Sequence, residues 1–148
     1  MELLLGLDID GTITANPPYF AKLAAQVRMD GGTVHVVTSR SQLAARETMD
    51  ELRTYRLQFD QIHFLPPMSE AEQNCPHPQL DWYGKYLYGK VAYAVKNSLT
   101  HFVDDDEKVR RLFNHFVPQI CFLYPDEMGG GRIEEELALQ RGQNVGKP

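Results

Sequence analysis

The chain predicts an α/β fold: one parallel sheet of about five strands with helices packed on both faces. Three observations carry that expectation. Short runs rich in leucine or β-branched residues alternate with longer segments of helical periodicity. Most of these runs are apolar at consecutive positions, as strands buried on both faces are. Each of three runs ends in polar residues: Asp8 and Asp10 after the first, Thr38 after the second, and Asp104, Asp105 and Asp106 after the fourth.

The elements follow in order. Residues 3–8 read as a buried strand driven into two acids and broken by Gly11. Asn16 and Pro17 then open a helix, as N-cap and first helical residue, and Gly31 and Gly32 follow its end. "TVHVVT", 33–38, is the second strand. Ser39 and Gln42 stand at capping-box spacing before a helix whose apolar residues Ala45, Met49, Leu52 and Tyr55 share one face. "QIHFL", 61–65, is the third strand.

Residues 66–88 break the pattern. Pro66, Pro67, Pro76 and Pro78 punctuate them, and they predict an irregular loop or lid. A helix from about Lys90 to Asn97, a strand at 100–104, a helix at 107–115 capped by Asp106, and a strand at 119–123 complete the alternation. A charged helix at 132–140 and a frayed tail at 141–148 end the chain. The expected arrangement is one domain over 1–140, three-layered and Rossmann-like, with no separate cap. The surplus at 66–88 falls below the roughly 40 residues an independent domain needs.

Composition narrows the function classes. The chain has 148 residues, 43% of them hydrophobic, and a formal net charge of −5. That acidity argues against nonspecific nucleic-acid binding. The apolar start is too short for a membrane span and lacks the basic start of a signal peptide. Cys75 and Cys121 have no metal-ligand spacing and form no disulfide framework, so they read as reduced thiols of a cytoplasmic protein.

In a parallel sheet, strand ends collect at one edge, and ligands bind there. Asp8, Asp10, Asp104 and Asp105 thus share a rim, and several carboxylates cannot all stay ionised there without a cation. Oxygen donors without His or Cys select a hard ion, most simply Mg²⁺, which prefers to share its shell with a phosphate. Thr38 and a nearby lysine would complete a phosphate site. Of two acids spaced by two, one can attack phosphorus while the other handles the proton. Gly11 allows a sharp turn that aims the amides near Ile9 and Asp10 at the phosphate.

The lysine is chosen by geometry. A helix after a strand starts at the carboxyl edge and runs away from it, so a lysine in its first turn lies near the acids. Lys90 is expected there. Lys96 lies about 9 Å further along the axis, and Lys85 reaches the rim only if its loop folds back.

"LDIDGT", then "VVTS", a lysine and "HFVDDD" together resemble the four-motif set of the haloacid dehalogenase superfamily of phosphohydrolases. The resemblance implies Asp8 as nucleophile, Asp10 as general acid/base and Thr38 and Lys90 as phosphate ligands. It also implies Mg²⁺ held by the side chains of Asp8, Asp104 and Asp105 and by the Asp10 carbonyl. An aspartate at position 10 points to the phosphatase branch. The expected function is a Mg²⁺-dependent phosphomonoesterase acting through an aspartyl phosphate. Its partner is a phosphorylated small molecule, nucleotide or macromolecule in an open site, which a second copy in a homo-oligomer could roof. The alternative is a non-hydrolytic module, either a receiver-like domain or an inactive scaffold of the same fold. Arg40 and the five histidines are expected to be structural or surface residues.

Overall fold

The structure, a computed structural model, describes residues 2–128 and 133–136. Five strands form one sheet: β1 (Leu4–Leu7), β2 (Thr33–Thr38), β3 (Gln61–Phe64), β4 (His101–Val103) and β5 (Cys121–Leu123). All neighbours pair in parallel, in the order β3-β2-β1-β4-β5. Helices α1 (Pro17–Met29), α2 (Ala45–Thr54), α3 (Met68–Asn74), α4 (Trp82–Lys96), α5 (Glu107–Phe116) and α6 (Pro125–Met128) connect and follow them.

The side-chain period of a strand builds two cores from one sheet. Leu5, Leu7, Val34, Val36 and Val103 pack with Phe20, Leu23, Val27 and Leu52 in one core. Val37 and Phe102 pack with Leu87, Val91, Leu112 and Phe113 in the other. β1 therefore carries no polar side chain, and its first polar residue, Asp8, falls just past its end. Asp8 N–H donates to the Val103 carbonyl at 3.0 Å, so the sheet still holds the backbone where the acid begins.

Caps set the helix starts. Asn16 accepts from Tyr19 N–H, and Asp106 accepts from Lys108 N–H at 2.8 Å, both as the sequence indicates. The expected Ser39–Gln42 box is not the cap of the second helix. Ser41 accepts from Leu43 N–H and opens a short 3₁₀ turn at Gln42–Ala44, which runs into α2.

Residues 66–88 are not an irregular lid. Pro67 precedes α3, and Pro76 and Pro78 fall in the connection between α3 and α4. Asp81 caps α4 by accepting from Gly84 N–H at 2.7 Å, so that helix starts eight residues before Lys90. Gly89 lies inside α4 and does not break it. A Cβ there would come within 2.9 Å of Leu65, so the glycine lets α4 lie close over the end of β3. Among the described residues there is no separate cap. Residues 133–136 are helical, while the rest of 132–140 and the tail at 141–148 lie outside the described residues. No described helix is long and apolar enough to cross a membrane.

Candidate active site

The strand order reverses direction between β1 and β4, the place where open α/β sheets bind ligands. Asp8 leaves the end of β1, and Asp104 leaves the end of β4. Both are buried, and so is Lys90, at 2% exposure. The Lys90 ammonium donates to Asp8 Oδ1 at 2.9 Å and to Asp104 Oδ2 at 2.7 Å.

Lys90 is thus the lysine at the acids, though not for the geometric reason expected. It lies eight residues into α4 rather than in its first turn. The first two turns of α4 stand beside the loops beyond the strand ends. Tyr86 O–H donates to the Ser39 carbonyl at 2.8 Å, and Tyr83 O–H reaches Asp106 at 3.5 Å. Lys90 comes level with the strand ends only after those turns. Lys85 and Lys96 line a different cavity, beside β3 and α3.

Two buried carboxylates share one ammonium, which leaves an uncompensated negative charge in a dry place. Burial pushes the Asp8 carboxyl up to about 7, against the pull of Lys90. Burial likewise raises Asp104. Burial works against the Lys90 ammonium, but Asp104 and Asp8 outweigh it and hold the lysine charged. A proton or a cation must complete this cluster.

Asp8, Asp104 and Asp105 each offer a carboxylate oxygen within 4.8 Å of the others. Gly11 makes room for the third. Its φ is +80°, and a Cβ there would lie 2.2 Å from Asp105 Oδ2. Three oxygen donors, two of them buried and short of positive charge, fit a hard divalent cation. Asp8 Oδ2 also accepts from Thr12 O–H at 3.3 Å.

Asp10 stands at the mouth of this site with its side chain 63% exposed. It does not join the Lys90 cluster. Both of its oxygens accept from Arg40, at 2.7 and 2.9 Å, and that pairing holds its carboxyl below the usual range. Arg40 is therefore not the surface residue expected. The available signal was positional: β1 and β2 are neighbours, so residues just past their ends face each other.

Thr38 closes β2 and is buried, and its Oγ1 accepts from Arg40 N–H at 3.0 Å. Its hydroxyl hydrogen remains available to donate. Asp8, Asp10, Lys90, Asp104 and Asp105 line one cavity of about 210 Å³ together with Ser39, Leu87 and Asp106; Thr38, next to Ser39 in the chain, is not among the lining residues. None of residues 66–80 lines it. The Ile9 and Asp10 amides make no backbone hydrogen bond among the described residues, whereas Gly11 N–H is taken by Thr14 Oγ1 at 2.9 Å.

No described histidine lines the cavity. His35 bonds Thr33 and Tyr93, His63 stacks on Tyr93, and His101 bonds Thr100 and Glu136. Cys75 and Cys121 are not joined in a disulfide.

No family model, curated protein or solved structure matches this chain.

Proposed function

We propose that this protein is a Mg²⁺-dependent phosphomonoesterase in which Asp8 forms a transient aspartyl phosphate and Asp10 moves the proton. One observation carries the reading: a buried lysine bonded to two buried acids, from the ends of the two strands that flank the switch point. The motif order that resembles the haloacid dehalogenase superfamily supports it independently.

In the first half-reaction an Asp8 oxygen attacks phosphorus. The bond to the leaving oxygen breaks, and that oxygen takes a proton through Asp10, which receives it from the phosphoryl monoanion at a lone-pair site that Arg40 leaves open. In the second, water attacks phosphorus and Asp10 takes its proton. The bond between phosphorus and Asp8 breaks, which releases inorganic phosphate and restores the carboxylate. Lys90 screens the repulsion between Asp8 and the phosphoryl oxygens. The Thr38 hydroxyl and the Ile9 and Asp10 amides are donors for those oxygens. The side chains of Asp8, Asp104 and Asp105 and the Asp10 carbonyl would hold Mg²⁺, which when bound would supply the positive charge that the cluster lacks.

At about 210 Å³ the cavity is smaller than the roughly 300–1,000 Å³ that whole ligands occupy. It takes the phosphoryl end, and the rest of the substrate lies outside or under a second copy of the chain. The strand order weighs against a receiver-like module, whose order is 2-1-3-4-5. Two cysteines without a disulfide suit the reducing cytoplasm.

Beryllium trifluoride with Mg²⁺ tests the nucleophile. A crystal structure should show beryllium bonded to an Asp8 oxygen, with no adduct in Asp8→Asn. An adduct on another residue, or none in the wild type, overturns the assignment.

A further inference from the structure

We infer that Arg40 is a positioning residue dedicated to Asp10: it fixes the proton-carrying carboxylate and makes no contact with the phosphoryl group. The chemistry of this inference rests on the phosphatase reading, while the contact itself rests on geometry alone.

A guanidinium has five N–H donors, and all five of Arg40's are in use. Nε donates to Asp10 Oδ2 at 2.9 Å, and Nη2 donates to Asp10 Oδ1 at 2.7 Å and to Glu51 Oε2 at 3.2 Å. Nη1 donates to Glu51 Oε1 at 3.1 Å and to Thr48 Oγ1 at 3.3 Å. None is left for a phosphoryl oxygen, so Arg40 is saturated by protein partners. Those partners are themselves fixed. Glu51 Oε2 accepts from Tyr55 O–H at 2.8 Å, Thr48 is buried, and the Arg40 backbone is tied to Thr38. The guanidinium is therefore part of the packing of α2, with one open side, and that side grips Asp10.

Asp10 needs such a grip. Its side chain is mostly exposed and has no other hydrogen-bonded side-chain partner among the described residues. Unheld, it would sample several rotamers, and a 1 Å displacement of a reacting group costs on the order of 10²-fold in rate. A bidentate pair fixes the plane of the carboxylate as well as its position. It uses only two of the roughly four lone-pair sites of Asp10, so an oxygen can still give and take the proton. The same grip keeps Asp10 off Lys90, whose ion-pair partners among the described residues are Asp8 and Asp104.

The test compares wild type, Arg40→Ala and Arg40→Lys with Mg²⁺ on an alkyl and an activated aryl phosphate. A positioning role lowers kcat of Arg40→Ala on the alkyl ester by about 10²-fold with KM nearly unchanged. Arg40→Lys recovers little of it, because an ammonium cannot form the fork. Guanidinium ion added to Arg40→Ala restores part of the lost rate. With the aryl ester, whose leaving group needs no proton, one equivalent of phenol appears in a fast burst before slow turnover. A raised KM at unchanged kcat makes Arg40 a phosphate ligand and overturns the inference, as does unchanged kcat and KM. A crystal structure of Arg40→Ala decides independently of activity. Asp10 displaced or disordered, with Asp8, Lys90 and Asp104 in place, supports positioning, and Asp10 unmoved overturns it. Wild type that hydrolyses no phosphoester would defeat the phosphatase reading, and that crystal structure would still settle the contact.

Discussion

Lys90 and Asp8, 82 residues apart in sequence, place an ammonium and a carboxylate oxygen 2.9 Å apart with both groups buried. Asp104 shares the same ammonium at 2.7 Å. Removing the lysine strands two acids in a low-dielectric place. Lys90→Ala should abolish turnover and also destabilise the fold by about 3–5 kcal/mol, the usual effect of breaking a buried pair. Lys96→Ala, exposed and outside the cavity, should change stability by less than about 0.5 kcal/mol and leave turnover intact. Denaturant melts of both variants check this.

Asp8 makes metal-free stability depend on pH. Its carboxyl is pushed from 3.8 to about 7, so the folded chain binds an extra proton between those values. The stability that goes with this proton is fully present below the unfolded value and is lost as pH rises through about 7. The loss at pH 8 is on the order of 2–4 kcal/mol. Thermal melts in EDTA at pH 5 and 8 should show the fall, and Mg²⁺ should reverse more of it at pH 8.

The same charge makes Asp8 costly to stability. Asp8→Asn keeps the shape of the side chain and removes the charge, leaving Lys90 paired one-to-one with Asp104. It should eliminate turnover while raising the melting temperature of the metal-free protein at pH 8. An unchanged or lower melting temperature would show that Lys90 compensates Asp8 fully.

Gly11 leaves room for the Asp105 carboxylate. In Gly11→Ala the new Cβ would meet Asp105 Oδ2 at 2.2 Å, in a backbone conformation that alanine resists. Asp105 must move away, and Mg²⁺ affinity measured by calorimetry should fall more than about tenfold, the lower end for disturbing a metal-ligand shell. The fold should persist, since Gly11 lies on the surface.

Asp10→Asn should slow turnover by roughly 10²–10⁴-fold with phosphate affinity largely kept. Its carboxylate lies outside the Lys90 cluster, so the loss should appear in kcat rather than KM. Steady-state kinetics on an alkyl phosphate separates the two constants.

Much of this architecture was legible before the coordinates. The β2 span came out residue for residue, because "TVHVVT" has no competing helical reading. Asn16, Pro17 and Asp106 marked their helices because caps are local chemistry. The meeting of Asp8, Asp104 and Asp105 was legible because a parallel sheet gathers strand ends whatever their distance in sequence, whereas Asp10 turns to Arg40. The α3–α4 region was not. Prolines around a short helix look the same in sequence as prolines in a loop, and the partner that Gly89 makes room for, Leu65, is visible only once packed. Arg40 was missed for a related reason: its partners Asp10 and Glu51 lie on separate elements, and only tertiary contact turns a charged residue into a clamp.

The most direct measurement is release of inorganic phosphate from an aryl phosphate by wild type and Asp8→Asn, with Mg²⁺ and with EDTA. A phosphatase releases many equivalents per chain with Mg²⁺, and none with EDTA or in Asp8→Asn. Release that stops at one equivalent or never starts, or that persists in EDTA or in Asp8→Asn, contradicts a metal-dependent phosphomonoesterase built on Asp8.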